Sequence, residues 1–241
     1  MISVLIPTKG RPQLLKEALA SLRRQTFPHY EALVVDDGEG EGLEVAASMN
    51  DLRFRAFPNP GRGQVEARLQ ALAQARGEVV LFLDDDDFFL DPAYLYRVWR
   101  ILSREEAVVY GEGVLYLGDG EIPFAPGEMG DWILTDNRIL ASGTALPRRL
   151  LGELRGLDPD MGDYWDWDLW LRAYRKTVPF RYLKGRGLGI RVHGANQSHG
   201  NRQAERRIFL ERLRGKHGLP PLELKDHLSL ALEAQALGQT R

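Results

Sequence analysis

The chain has 241 residues, 44% of them hydrophobic, and a formal net charge of −2. That is enough apolar material to bury the core of one domain, and the weak charge excludes a general electrostatic footprint for nucleic acid. The lack of cysteine excludes disulfides, thiolate metal sites and cysteine nucleophiles.

Ile2–Ile6 is a short apolar run stopped by Pro7, which reads as a strand and is too short for a signal peptide core. No run approaches the ~20 apolar residues of a membrane span. The expectation is a cytoplasmic protein, free or peripheral at the inner face of a membrane. Pro12–Gln25 places Leu15, Ala18, Leu19 and Leu22 on a helical stripe with proline in the first turn. Ala32–Val35 is a second strand, closed by DDGEGEG, and Leu43–Met49 is a short helix. Arg53–Phe57 alternates as a half-buried strand. QVEARLQALAQARG carries Val65, Leu69, Leu72 and Ala73 on one face, with Gly77 as its C-cap. Val79–Leu83 is a continuous apolar strand that runs into Asp84, Asp85, Asp86 and Asp87, followed by a helix near Pro92–Leu102.

Strands alternating with helices imply an α/β fold with a mainly parallel sheet, whose ligands bind beyond the carboxyl ends of the strands. PTKGR, DDGEG and DDDD all fall on that edge. From about residue 107 the pattern changes to a hairpin around Gly118–Gly120, so the sheet becomes mixed. ILASGTALPRRLLGEL reads as a strand and a short helix, and GDYWDWDLWLRAYRK as a helix with Asp163 at its N-cap. A charged helical tail starts near Gln203, with Leu224, Leu228, Leu232 and Leu237 on one stripe that packs on the domain or on a second subunit. The division is one domain, 1–203, with a nucleotide-binding half (1–103) and an acceptor-binding half (104–203), and a tail, 204–241.

Adjacent carboxylates repel by roughly 4 kcal/mol at ~4 Å and an effective dielectric near 20. One reading of Asp84–Asp87 is solvated turn residues and helix N-caps, which suits the outer members, particularly Asp87 ahead of Pro92. All four lie between Leu83 and Phe88–Phe89, where full hydration of every carboxylate is hard to arrange, and a hard divalent cation, Mg²⁺ or Mn²⁺, resolves the conflict. In an extended segment Asp84 and Asp86 point to one side and converge on one ion. Its open positions suit the phosphates of a nucleoside diphosphate compound.

ISVLIPTKGR, ALVVDDGEG, RGQVEARLQALAQARGEVVLFLDDDD and YWDWDLWLR occur in an order and spacing that resembles the family 2 glycosyltransferases of GT-A fold, over roughly residues 2–195. The resemblance implies a Rossmann-like mixed sheet flanked by helices and an inverting, metal-dependent transfer from a UDP- or GDP-sugar. It implies that Pro7, Thr8 and Arg11 line the nucleotide pocket, that Asp36 or Asp37 binds the base, and that Arg68 sits near it. Asp84 and Asp86 would hold the metal, with Asp85 near the ribose. Asp166 would be the general base; Asp168, two residues on, cannot face the same site. His193 would be a third metal ligand or a diphosphate contact, and His199 and Arg202 lie where a loop could close over the donor. The family usually has glutamate where this chain has Trp165; Trp165, Trp167 and Trp170 could pack in the core or stack on sugar rings, core packing being the role expected of at least two. The acceptor is a glycan, a lipid-linked sugar or a small molecule. The rival readings are a non-catalytic nucleotide- or glycan-binding module of this fold, and a nucleotidyltransferase.

Overall fold

Alternate residues of the first strands feed two different cores. In β1 (Ile2–Thr8), Val4 and Ile6 enter one core and Leu5 the other, and β2 (Tyr30–Asp36) separates Ala32 and Val34 from Leu33 and Val35 in the same way. The computed structural model describes residues 1–192 and 203–238. β3 (Phe54–Pro58) and β4 (Val79–Phe82) complete a parallel block in the order β3-β2-β1-β4. Burial on both faces explains why Val79–Leu83 shows no polar alternation.

On one face lie α1 (Pro12–Arg23), α2 (Glu41–Ser48) and α4 (Tyr94–Leu102). The buried leucines of α1, Leu15, Leu19 and Leu22, contribute roughly 2 kcal/mol each. On the other face lie α3 (Gly63–Gln74), α5 (Arg148–Glu153) and α6 (Trp165–Arg175). α3 ends at Gln74, so Gly77 is not its cap. Gly77 serves a close approach: a Cβ there would stand 2.7 Å from the Ser3 nitrogen, and its N–H donates to Ser3 Oγ at 2.8 Å.

The second half extends the same sheet through β5 (Phe88–Phe89), β6 (Val108–Leu117), β7 (Gly120–Phe124), β8 (Ala145–Pro147) and β9 (Phe180–Arg191). The path continues β4-β8-β6-β9-β5, with β7 on β6. β8 is antiparallel to β4 and β6, whereas β9 runs parallel to β6. The hairpin from β6 to β7 turns through Gly118 at φ +57°, a left-handed position that favours glycine.

A 3-10 turn, Pro159–Tyr164, leads into α6. Asp163 is not the helix cap: Tyr164 holds that position, and the Asp163 carboxylate accepts from Gln64 Nε2 at 3.3 Å. Trp165, Trp167 and Trp170 are all buried. α7 (Gln203–His217) packs on the α6 face through Leu210 and Leu213. Fully buried Asp168 ties the two helices, accepting from Arg172 Nε at 2.9 Å and from His217 Nε2 at 2.7 Å, and pairing with Lys216 Nζ at 2.7 Å. α8 (His227–Gly238) returns to the first core through Leu230 and Ala231. Of the tail stripe, Leu224 and Leu228 are half-buried and Leu232 is exposed, while the side chain of Leu237 lies outside the described residues.

Candidate functional site

The loops at the carboxyl ends of β1 to β4 open into a cavity of about 660 Å³, within the ~300–1,000 Å³ usual for small-molecule sites. The nominated residues line it with two exceptions. His193, like His199 and Arg202, lies outside the described residues. Asp36 is turned into the loop that follows β2, where its carboxylate accepts the N–H groups of Gly38 at 2.7 Å and Gly42 at 3.0 Å. Its neighbour Asp37 faces the cavity. Burial alone would raise the Asp37 carboxyl, but hydrogen bonds from Lys9, Asn59 and the Gly63 N–H hold it below the usual range.

Asp84–Asp87 is a turn rather than an extended segment, closed by the Asp87 N–H on the Asp84 carbonyl at 3.1 Å. The reason is topological: the chain leaving β4 must reverse so that β5 can pair antiparallel with β9. The turn brings carboxylate oxygens of Asp84, Asp86 and Asp87 within 4.8 Å of one another. Asp87 is therefore not a solvated cap. It is buried, accepts from Ser142 Oγ and from the Arg191 N–H, and its carboxyl is pushed well above the ordinary range by burial and then by Asp86 and Asp84.

Asp85 points away from this trio. It is wholly buried, accepts Thr8 Oγ1 at 2.6 Å and pairs with Arg11 Nη2 at 2.5 Å. Burial lifts its carboxyl to about 6, with Arg11 opposing the rise. Arg11 also pairs with Asp86 at 2.6 Å. Arg68 is buried, donates to Asp84 and to Gln64, and lies 4.4 Å above the Trp165 ring. Trp165 at the usual glutamate position thus gives Arg68 a π face to rest on, and leaves its charge directed at Asp84.

The donor set fits a hard divalent cation. Three carboxylates converge, all ligands are oxygen, and Asp87 has no cationic side chain in ion-pair range among the described residues. A divalent ion would offset both the burial that chiefly raises Asp87 and the repulsion from Asp86 and Asp84.

The same cavity is lined by Asp166, in the first turn of α6. Asn137 Nδ2 donates to one carboxylate oxygen at 2.8 Å and the Trp167 N–H to the other at 2.7 Å. Burial pushes the carboxyl up to about 6 in spite of both hydrogen bonds. Such a group is ionised at neutral pH and holds a proton better than an ordinary carboxylate, the properties of a general base.

Sequence reading misses Ser142, whose hydroxyl also accepts the Asp84 N–H at 3.0 Å, together with Gln64, Asn137 and Arg191. Only Gln64 falls within one of the stretches that carry the resemblance. α7 also reaches the cavity, through Glu205, Arg206 and Phe209. Phe209 packs on Gly162, which has φ +51° and ψ −119° and leaves the ring space that a side chain would fill.

Residues 3–142 match the profile of Glycosyl transferase family 2. The uncharacterized glycosyltransferase YwdF of Bacillus subtilis is 31% identical over 248 residues, spanning 97% of this chain and 90% of its own. Among solved structures, S. aureus TarS in complex with UDP-GlcNAc has a TM-score of 0.71 at 20% identity, over 89% of this chain and 66% of its own. The mannosyltransferase PcManGT from Pyrobaculum calidifontis, in complex with GDP-Man and Mn²⁺, has a TM-score of 0.67 at 19% identity, over 91% of this chain and 66% of its own. The two structures establish the fold, a GT-A sheet. With a profile match over more than half its length and a relative aligned almost end to end, the chain belongs to glycosyl transferase family 2 and is a glycosyltransferase.

Proposed function

We propose that the protein is a divalent-metal-dependent, inverting glycosyltransferase that moves a sugar from a UDP- or GDP-sugar to an acceptor hydroxyl in one displacement. The observation that carries this reading is one cavity lined both by a convergent carboxylate trio and by the buried carboxyl of Asp166. The complexes of TarS with UDP-GlcNAc and of PcManGT with GDP-Man and Mn²⁺ support the donor class and the metal.

Asp84, Asp86 and Asp87 would hold Mn²⁺ or Mg²⁺, which when bound neutralises charge on the departing diphosphate. Asp37 offers its carboxylate to a base N–H, and Thr8 and Arg11 fix Asp85 against the nucleotide end of the cavity. Asp166 removes the acceptor proton as that oxygen bonds to the anomeric carbon. The bond from that carbon to the diphosphate oxygen breaks with its electron pair going to the diphosphate. One displacement inverts the configuration and needs no enzyme nucleophile.

Thermal shift with UDP and GDP, with and without Mn²⁺, tests the donor site, because a bound ligand raises Tm by mass action. Hydrolysis of UDP- and GDP-sugars tests turnover. The expected result is a metal-dependent shift together with slow donor hydrolysis, both metal-dependent effects lost in Asp84→Asn/Asp86→Asn. A nucleotide shift with no hydrolysis and no transfer would favour the binding-module reading. No shift from either nucleotide would remove the donor assignment.

A further inference from the structure

Arg68 and Arg11 both reach the aspartate turn, but only Arg68 is walled off from water: its side chain is 1% exposed and that of Arg11 is 26% exposed. Standing on α3, it rests 4.4 Å above the Trp165 ring. Trp165 is itself fixed in the core, edge-on to Phe82 with ring centroids 4.9 Å apart. Nη1 of Arg68 donates to the carbonyl and to the side-chain oxygen of Gln64, each at 3.0 Å, and Nη2 donates to Asp84 Oδ1. Its Nε is buried without a partner, a cost that the fold carries. A flat cation seated on a rigid ring has few directions in which to present its charge, and here the direction is Asp84.

Asp84 and Asp86 thus each hold a guanidinium before any ion arrives, Asp84 that of Arg68 and Asp86 that of Arg11, the latter at 2.6 Å. Arg11 divides its charge between Asp86 and Asp85. Arg191, beside the same turn, donates to the Asp86 carbonyl at 2.6 Å and pairs with Glu17. Arg68 differs from both in having its charge confined to the corner, with Asp84 as its ion-pair partner among the described residues. The Asp84 side chain is 36% exposed, so a cation in the cavity can reach the carboxylate that Arg68 already holds. Two like charges then meet at one group.

We propose that Arg68 is a positioning residue that serves as an internal counter-ion: it holds Asp84 in place when no cation is present and competes with a divalent ion for that carboxylate, so that the corner binds a lone ion weakly. The inference rests on Asp84, Asp86 and Asp87 as the metal ligands. Its consequence for turnover lies in release. An ion gripped firmly by the protein alone would stay behind after transfer, whereas a weakly gripped one departs with the diphosphate that shares it.

The test measures Mn²⁺ binding to the 241-residue protein without nucleotide, from the electron paramagnetic resonance signal of the free ion. Arg68→Gln removes the charge and keeps a polar group beside Gln64, and water hydrates the part-exposed Asp84 in its place. A divalent ion and a guanidinium ~5 Å apart repel across water by an amount equivalent to roughly 15-fold in affinity. Arg68→Gln should therefore bind Mn²⁺ about 10-fold more tightly than the natural protein, and Arg68→Lys, which keeps the charge, within about threefold of it. An ion pair that only supports the fold gives the opposite result, since its loss would loosen Asp84 and weaken Mn²⁺ binding. The proposal is overturned if Arg68→Gln leaves the affinity unchanged or lowers it, or if Arg68→Lys raises it as much. A second reading uses the natural protein and so survives a failure of Arg68→Gln to fold. Saturating Mg²⁺ should move the Arg68 Nε–H resonance, identified by its absence from Arg68→Lys, and a resonance that stays in place overturns the proposal. The metal ligands are judged separately by Asp86→Asn/Asp87→Asn with UDP present, which leaves the Arg68–Asp84 pair intact: undiminished Mn²⁺ binding there removes the trio whatever the Arg68 variants do.

Discussion

Replacing Asp166 with asparagine should make the protein more stable while it stops transfer. The carboxyl is 7% exposed and lifted from an ordinary 3.8 to about 6, a gap that corresponds to an upper limit of ~3 kcal/mol spent at neutral pH on keeping it ionised. Asparagine keeps the shape and still accepts the Trp167 N–H, and its amide can donate to the Asn137 oxygen, which now lacks a partner. The sign follows from proton affinity. The folded carboxyl binds its proton more tightly than the unfolded one, so its contribution to stability is full below about 3.8 and is lost as pH rises through about 6. The advantage of asparagine is thus near zero at pH 3.5, grows between 4 and 6, and is level above that. At ~2–4 °C per kcal/mol for a chain of this size, Tm of Asp166→Asn should exceed that of the natural protein by several degrees at pH 8. Melting curves of both proteins without ligand, from pH 3.5 to 8, measure the difference directly. A difference that is flat with pH, or that favours aspartate at pH 8, refutes the reasoning about its burial, and undiminished transfer refutes the role.

Ser142→Ala removes the hydroxyl that bridges Asp87 and the Asp84 N–H, and should weaken Mn²⁺ binding ~10-fold or more by calorimetry with UDP present; an unchanged affinity would count against the trio as the metal site. Gly162→Ala places a Cβ 2.5 Å from the Phe209 ring at φ +51°, so urea unfolding should show a loss of at least ~2 kcal/mol, with part of it recovered when Phe209 is also alanine. Asp168 is held at about 2, its desolvation overcome by His217, Lys216 and Arg172. Its contribution to stability is present above an ordinary 3.8 and is lost as pH falls through about 2. Asp168→Asn should therefore cost ~3 kcal/mol at pH 7 and almost nothing near pH 2; equal stability at pH 7 would contradict the tie between α6 and α7.

The parallel block was legible because burial on two faces leaves a mark in every residue of β1, β2 and β4. The position of the aspartates was legible for the same reason, since four charges at the end of an apolar strand stand out against it. Their arrangement was not. Whether Asp87 joins Asp84 and Asp86 depends on a reversal demanded by β9, a strand about a hundred residues away, and on Ser142, 55 residues downstream. Asn137 meets Asp166 across 29 residues and Gln64 meets Asp163 across 99; neither pairing has a periodicity that a local reading can detect. Asp168 is set aside in the sequence only as unable to share a site with Asp166, and it is the folding back of α7 onto α6 that makes it a buried anchor. Asp36 and Asp37 are equivalent on paper, and it is the loop glycines, Gly38 and Gly42, that assign one to the backbone and leave the other to the cavity.

β8 is three residues long, yet it lies between β4 and β6. The Phe82 N–H donates to the Thr144 carbonyl at 3.0 Å, the Gly143 N–H donates to the Phe82 carbonyl at 2.7 Å, and Ser142 follows directly against the aspartates. A polypeptide cut near residue 104 would therefore yield two fragments, neither able to shape the cation-binding corner by itself. Restoring it in trans would require one fragment to thread a strand into the open sheet of the other, so recombination should succeed on joint refolding and fail when the separately folded pieces are mixed.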